Sequence, residues 1–386
     1  MKLLIIEKNV ERQGDYTRRI KSFDRRDIEM FDLQVSLATE LDATDQIVGM
    51  DVVILGAGLG EATLNLARKL HTLNPKARMI WFAGESMYSA GFFRQAYAVG
   101  IQKVLPTSAS NLDLLQELVA ILDALRREGS VHEGSLVCFI QAKGGSGSTT
   151  LCAALASACE SKGKNSLLWD FDVDTADLSR SLSVGAVQSG VFGNWLDGTS
   201  ELTRESVKLA ASAVSDYISV LPPPRESMAE SFDLVCHTQG LTLSNRIAEL
   251  SKATFDAILV DTAGRLGPAT GSLISVADHV VLVIDDTVMG LTGLNMFVNF
   301  IKPLIQEKNS LVFLVNGTSR ASLAIKEVRD SLESIHRFGA DAWRLPPIPL
   351  DHAGTGWAGS GDTLFTLGSR ETRAAFETIA KELGLV

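Results

Sequence analysis

The sequence predicts an α/β protein built from two doubly wound domains, and three observations carry that prediction. Short continuous apolar runs alternate with longer amphipathic stretches. The alternation occurs twice, on either side of a polar Gly/Ser-containing stretch, RREGSVHEGS, at 126–135. At 386 residues the chain is long enough to bury two cores. Runs that are apolar on both faces imply parallel strands covered by helices on each side, joined by right-handed crossovers. In the first half these runs are LLII (3–6), VVIL (52–55), MIWF (79–82) and KVL (103–105). Helical patterns such as EATLNLARKLHTL and NLDLLQELVAILDALRRE separate or follow them. In the second half they are LVCFI (136–140), SLLWDF (166–171), AILVD (257–261), VVLVID (280–285) and LVFLV (311–315). The reading is a domain over 1–125, a linker over 126–135 and a second domain over 136–386.

Composition narrows the function classes. The chain is 46% hydrophobic and 21% charged, as a soluble protein is, and no apolar run approaches the roughly 18–20 residues that span a bilayer. The opening MKLLIIEKNVERQ is apolar only over Leu3–Ile6, too short for a signal-peptide core, and reads as a first strand. A net charge of −10 argues against a protein that coats DNA by neutralising phosphates. Cys138, Cys152, Cys159 and Cys236 form no C-x-x-C pair and have no histidine at zinc spacing. All four sit in apolar surroundings and read as buried free thiols of a reducing, cytoplasmic compartment.

The stretch QAKGGSGSTT, 141–150, lies between the strand ending at Ile140 and a helix beginning near Ser148–Thr149. A phosphate-binding loop ends in Gly-Lys-Ser/Thr, with the lysine on the β- and γ-phosphates. Here Ser148 fills the lysine slot, and a lysine stands five residues earlier at Lys143. The other contributions survive. Gly144, Gly145 and Gly147 let the backbone around Ser146 turn its N–H groups inward. The helix start adds partial positive charge, and Thr149, followed by Thr150, fills the hydroxyl slot for Mg²⁺. A glycine-rich turn alone can be purely structural. Beyond it, Asp170 and Asp172 in LLWDFDVD and Asp261 in TFDAILVDTAG come at strand ends. Aspartates there are often helix caps, but their order beside a phosphate loop is what Mg²⁺ and an attacking water need.

KGGSGSTT followed by DFD and VDTAG resembles the ParA/MinD family of deviant-Walker ATPases, whose early signature lysine is matched by Lys143. ADHVVLVIDDTVMGLTGLN is similar to the strand and helix after switch II. LVFLVNGTS places Asn316 at the adenine-contacting asparagine, and LPPIPLD (345–351), with Pro347 and Pro349, resembles the purine-side loop. The resemblance covers 135–386 and implies a P-loop NTPase fold with ATP and Mg²⁺ as ligands. It implies a homodimer in which Lys143 reaches the phosphates held by the partner subunit, which would let Ser148 be tolerated at the expense of slow or absent hydrolysis. By the same resemblance Asp172 orients the attacking water, Thr149 and Asp261 hold the metal, and Asp170 supports it. Asp174 has no counterpart and reads as a turn cap. Arg265, in TAGRLG, stays open between partial compensation for the lost lysine and a solvated loop arginine.

The first half resembles the response-regulator receiver domain, a flavodoxin-like fold, over 1–125. Its acidic metal-binding pair reads Glu7 and Lys8, its phospho-acceptor slot holds Gly56, and its lysine slot holds Pro106 or Thr107. Without a carboxylate nucleophile no acyl phosphate forms, and Lys8 works against a divalent cation. What remains is a protein-binding surface around AGFFRQAYAVGIQKVL, or a structural domain without partners. A receiver-like first domain, a small residue in the loop-lysine slot and the segment GVFGNWLDG…YISVLPPP together resemble the TadZ/CpaE group of pilus-assembly proteins. That resemblance implies an ATP-dependent dimerising positioning or assembly factor for a Tad (type IV-like) pilus or secretion apparatus. Its partners would be a second copy of the chain and machinery proteins bound through the receiver-like domain, in the cytoplasm at a cell pole near the inner membrane. A catalytically dead pseudo-ATPase scaffold is the alternative. A DNA-partitioning ParA runs against the acidic charge. A MinD-like membrane factor runs against SRETRAAFETIAKELGLV, which alternates Glu with Arg/Lys over a modest apolar face. The expectation is no specific nucleic-acid partner and at most indirect membrane contact.

Overall fold

The structure is a computed structural model that describes residues 1–23, 33–39, 42–60, 62–84, 87, 89–128, 133–141, 143–185, 191–224, 236–262, 264, 267–285, 297–306, 310–317, 326, 329–330, 333–334 and 340–386. The chain divides into two compact units, Met1–His132 and Glu133–Val386. The division falls inside 126–135, but helix Asn111–Arg127 extends into that stretch from one side and a strand enters it from the other at Ser135.

In the first unit, β1 (Lys2–Ile6), β2 (Gln34–Ala38), β3 (Val52–Leu55), β4 (Arg78–Ala83) and β5 (Ile101–Pro106) form a parallel sheet of order β2-β1-β3-β4-β5. This is a doubly wound order that reverses between β1 and β3. Alternation along each strand sends side chains to opposite faces. Leu3, Ile5, Val52, Ile54 and Phe82 pack with Tyr16 and Ile20 of helix Val10–Lys21 and Leu114 and Leu118 of Asn111–Arg127. Leu4, Ile6, Val53, Leu55 and Trp81 pack with Leu66 and Leu70 of helix Ala62–Leu73 and Ala96 of Ala90–Ala98. Strand β2 escapes a search for apolar runs because it lies at the sheet edge, where Gln34, Val35 and Leu37 stay exposed.

Glu7, just past β1, is only 1% exposed. Its carboxylate accepts the Asn9 amide at 3.0 Å and the Gly58 amide at 2.9 Å. A Cβ on Gly56 or Gly58 would stand 2.3 or 2.0 Å from its oxygens. While Glu7 keeps this place, the slot at Gly56 has no room for a side chain of any kind.

In the second unit β6 (Ser135–Gln141), β7 (Ser166–Asp170), β8 (Ser212–Ala213), β9 (Ile218–Leu221), β10 (Ala257–Asp261), β11 (His279–Asp285) and β12 (Ser310–Asn316) form one sheet of order β12-β11-β6-β10-β7-β9-β8. Every pairing is parallel except the β8–β9 hairpin at the edge. One face carries Cys138, Ile140, Trp169, Val260 and Leu282 against Ile247 of helix Thr238–Lys252 and Leu273 of Pro268–Val276. The other carries Val137, Phe139, Leu259 and Val283 against helix Ser148–Glu160. That helix is buried almost all round because Ala and Cys keep it slender enough to lie between the sheet and the helix Arg370–Glu382. Phe376 and Ile379 of this last helix, with Leu383 just past its end, bury apolar side chains in the same core, each contributing about 1.5–3 kcal/mol.

Cys138, Cys152 and Cys159 are buried thiols, and burial pushes Cys159 up to about 11. Cys236 departs from the expectation: it is exposed, preceding helix Thr238–Lys252. Among the described residues no helix is long and apolar enough to cross a membrane.

Candidate functional site

The carboxyl ends of parallel strands are where an open α/β sheet offers a crevice, and the motif residues collect there. Strand β6 ends at Gln141, and helix Ser148–Glu160 starts directly after Gly147. Gly145 and Gly147 hold φ of 87° and 94°, left-handed values that turn the chain through the loop. The Ser146 hydroxyl donates to the Lys143 carbonyl at 2.8 Å, closing the turn. Asn316, the last residue of β12, donates from Nδ2 to the Ser146 carbonyl at 2.8 Å. The loop and the β7 side enclose a cavity of about 510 Å³. Gln141, Gly144, Gly145, Gly147, Ser148, Thr149 and Thr150 line one side, and Phe171, Asp172, Asp174, Thr175 and Asp177 the other.

Gly147 is fixed twice over. Besides its φ, a Cβ there would stand 2.4 Å from Asn316 Nδ2. Gly147→Ala is therefore expected to cost about 1–3 kcal/mol of stability, read by urea unfolding, and to displace the amide that braces Ser146. An unchanged unfolding midpoint would show that the loop tolerates another path.

Asp261 ends β10 and is 1% exposed. Ser148 Oγ lies 2.9 Å from its Oδ1, and Thr149 Oγ1 lies 2.5 Å from its Oδ2. The serine in the lysine slot thus turns toward the carboxylate behind the loop, as does its neighbour. Mg²⁺ favours hard oxygen ligands, commonly one carboxylate and a hydroxyl with water and phosphate oxygens completing the set. Thr149 and Asp261 supply such a pair, so the donor set fits. Among the described residues no group of three or more His, Cys, Asp or Glu side chains could hold an ion unaided.

Asp170 is the register partner of Asp261 across β7 and β10 and is fully buried. Its Oδ2 accepts the Ser179 amide at 2.8 Å and hydroxyl at 2.6 Å, and its Oδ1 accepts the Asp172 amide at 3.2 Å. It is absent from the cavity wall, so its support of a metal would run through Asp261 and the β7 turn. Burial pushes its carboxyl up from 3.8 to about 6, with the Asp261 charge adding to the rise and the Ser179 hydrogen bonds opposing it. Folding therefore favours the protonated form. The resulting stabilisation is fully present below the unfolded pKa and is lost as pH rises through about 6, a change of up to about 3 kcal/mol. Urea unfolding at about pH 4.5 and pH 7.5 should reveal this decline, and Asp170→Asn should flatten it. An identical pH slope in the variant would exclude Asp170 as its source.

Asp172 reaches the cavity, but its oxygens are occupied. Oδ1 accepts the amides of Asp174 at 3.2 Å and Thr175 at 3.1 Å, and Oδ2 pairs with the Thr175 hydroxyl. Asp172, rather than Asp174, is thus the cap of this turn. Lys143 Nζ pairs with Asp285 Oδ2 at 3.2 Å at the end of β11, and its side chain is 44% exposed. Pro347 and Pro349 are half-buried on either side of Ile348, whose amide bonds the Val315 carbonyl of β12 at 2.9 Å. Asp351 anchors the end of that segment. The Ser369 amide and Thr372 hydroxyl hold its carboxyl down at about 2. Arg265 and most of DDTVMGLTGLN lie outside the described residues.

Gln141, Thr175 and Asp177 in the wall, and Ser179 behind it, are absent from the motif reading. Only Gln141 carries a hint, as the residue that opens the loop. The other three are ordinary turn and helix residues until the chain folds beside the loop.

The architecture and loop define a class: an α/β fold with a parallel sheet matching the P-loop NTPase domains of the ParA/MinD kind. Residues 134–313 match the AAA_31 family, described as an AAA domain. The chain is 22% identical over 204 residues to the sporulation initiation inhibitor protein Soj of Bacillus subtilis, covering 51% of this chain and 78% of Soj. It is 25% identical over 168 residues to the antiactivator FleN of Pseudomonas aeruginosa, covering 44% of this chain and 56% of FleN. In fold it is similar to the septum site-determining protein MinD of Pyrococcus horikoshii OT3, a complex with Mg-ADP, with a TM-score of 0.51, 20% identity and coverage of 65% and 96% of the two chains. What these likenesses establish is the fold, a parallel α/β sheet like that of the MinD structure.

Proposed function

We propose that the chain is an adenine-nucleotide switch that binds ATP with Mg²⁺ in the loop cavity, dimerises on it and hydrolyses it slowly. One observation carries this reading: the cavity assembles loop backbone, helix start and the Thr149–Asp261 pair, while the signature cation, Lys143, stands half-exposed beside Asp285. Backbone amides and the helix start hold phosphate oxygens. Bound Mg²⁺ would neutralise charge on the phosphates. Thr149 and Asp261 would hold the ion, and Lys143, supplied by a second copy of the chain, would deliver the charge that Ser148 does not. Asn316, with Pro347 and Pro349, would flank the base. Asp172 is the candidate for orienting water, and it must first release Thr175.

That last requirement favours a second reading, a scaffold that holds nucleotide without turning it over, since every Asp172 oxygen caps its own turn. Phosphate release from wild type and Asp172→Ala separates the two: equal background rates indicate the scaffold.

The finer assignment is a positioning or assembly factor for a Tad-type pilus or secretion apparatus, with the first unit as a receiver-like docking module in the cytoplasm at a cell pole. The β2-β1-β3-β4-β5 order, which flavodoxin-like domains share, supports this, as do the blocked acceptor slot at Gly56 and the similarity to relatives that include Soj and MinD. The deciding experiment titrates MgATP against the protein at several chain concentrations. Apparent affinity should rise with concentration, because the partner completes the site. Concentrated protein with no affinity for adenine nucleotides would sink the proposal.

A further inference from the structure

Three consecutive hydroxyls open helix Ser148–Glu160, and they are committed differently. Ser148 and Thr149 both lie against Asp261. The Thr150 hydroxyl instead accepts the indole N–H of Trp357 at 3.2 Å. An indole nitrogen only donates, so the Thr150 proton must point elsewhere. Among the described residues it has no acceptor, and Thr150 lines the cavity.

Trp357 is held firmly enough to make this arrangement durable. It is 6% exposed and belongs to the same core as the loop helix. The Ser360 amide and hydroxyl bond its carbonyl at 3.1 and 2.7 Å. Gly359, at φ 75°, donates its amide to the Ser181 carbonyl at 2.7 Å. Ser181 ends the short helix Asp177–Ser181, whose first residue lines the opposite cavity wall. The turn around Trp357 therefore ties the loop helix to the far side of the site.

We propose that Trp357 is a positioning residue that fixes the Thr150 hydroxyl as a donor into the cavity, toward the phosphate oxygens of the bound nucleotide. The proposal rests on the nucleotide-binding reading above. A hydroxyl that already accepts one hydrogen bond is polarised into a better donor. A donor aimed at an anionic oxygen makes a stronger bond than a neutral pair.

The test is a double-mutant cycle on the full chain, with Mg-ADP binding read by calorimetry. Trp357→Phe keeps an aromatic ring and removes the N–H; Thr150→Val keeps the shape and removes the hydroxyl. Each single change is expected to weaken Mg-ADP by about fivefold to tenfold, and the pair together by no more than either alone. Adenosine, which lacks phosphates, should bind all variants alike, and Thr150→Ser should restore Mg-ADP affinity. A merely structural tryptophan would give losses that multiply and would weaken adenosine equally, and that result overturns the proposal. So does Thr150→Val binding Mg-ADP as wild type does, a readout that survives even if Trp357→Phe does not fold. Wild type that binds no adenine nucleotide overturns the nucleotide reading and this one together; wild type that binds while the variants match it overturns this one alone.

Discussion

Asp261→Asn is expected to reduce magnesium-dependent nucleotide affinity by at least about 100-fold while leaving the weaker magnesium-free binding nearly unchanged. The expectation follows from what the carboxylate touches. Each of its oxygens faces one hydroxyl, Ser148 on Oδ1 and Thr149 on Oδ2. Asparagine keeps the volume but presents one acceptor and one donor group, so one hydroxyl must stop donating, accept from the N–H₂ instead and send its own proton elsewhere. Hydrogen bonds to charged groups are worth about 1.5–3 kcal/mol each, and the charge that would hold the metal is gone as well. The substitution has a second signature. The Asp261 charge is one of the causes raising Asp170, so in the variant the Asp170 carboxyl should titrate lower and the stability decline with rising pH should shift down with it. Calorimetry with and without magnesium checks the first effect, and urea unfolding against pH the second. A magnesium dependence equal to wild type would remove Asp261 from the metal path.

How far the sequence alone discloses this site depends on whether a residue's role is written in its own neighbourhood. Strands β6, β10, β11 and β12 are continuous apolar runs because both faces are buried, and their ends follow from the runs. Gly145 and Gly147 are legible because glycine adopts left-handed φ without steric cost, and at Gly147 Asn316 also leaves no room for a Cβ. The edges are less so. Strand β2 and the two-residue strand β8 lie at the rims of their sheets, where exposure breaks the apolar pattern. The electrostatics of the site were invisible, because they depend on cross-strand register. Asp170 opposite Asp261, and Asp285 within reach of Lys143, exist only after strands far apart in the chain align. The same holds for Trp357, which lies 207 residues from the hydroxyl it meets. Asp172 shows the converse hazard: the motif marks it for water, while its neighbours Asp174 and Thr175 draw it into a local turn, the competing habit of aspartate.

Lys143→Ala is expected to abolish ATP-dependent dimerisation and to lower any phosphate release by about a thousandfold or more, with no measurable change in the stability of the isolated chain. The resting contact explains the second half. Lys143 pairs with Asp285 at 3.2 Å, but the lysine is 44% exposed, and exposed pairs contribute only about 0–1 kcal/mol. The pair can be broken at little cost, which a cation destined for another subunit requires. A cation delivered in trans to a developing phosphoryl charge is worth about 10³–10⁵ in rate, or roughly 4–7 kcal/mol. The weak resting pair lets Lys143 exchange Asp285 for a partner's triphosphate once ATP is bound, while the rate factor is gained only in the transition state. With Ser148 turned toward Asp261, no lysine or arginine lines the loop cavity among the described residues, so the loss should be large. Light scattering with and without ATP reads the assembly, and steady-state phosphate release reads the rate. A variant that still doubles its mass on ATP would show that dimerisation runs through another surface and that Lys143 serves only its own subunit.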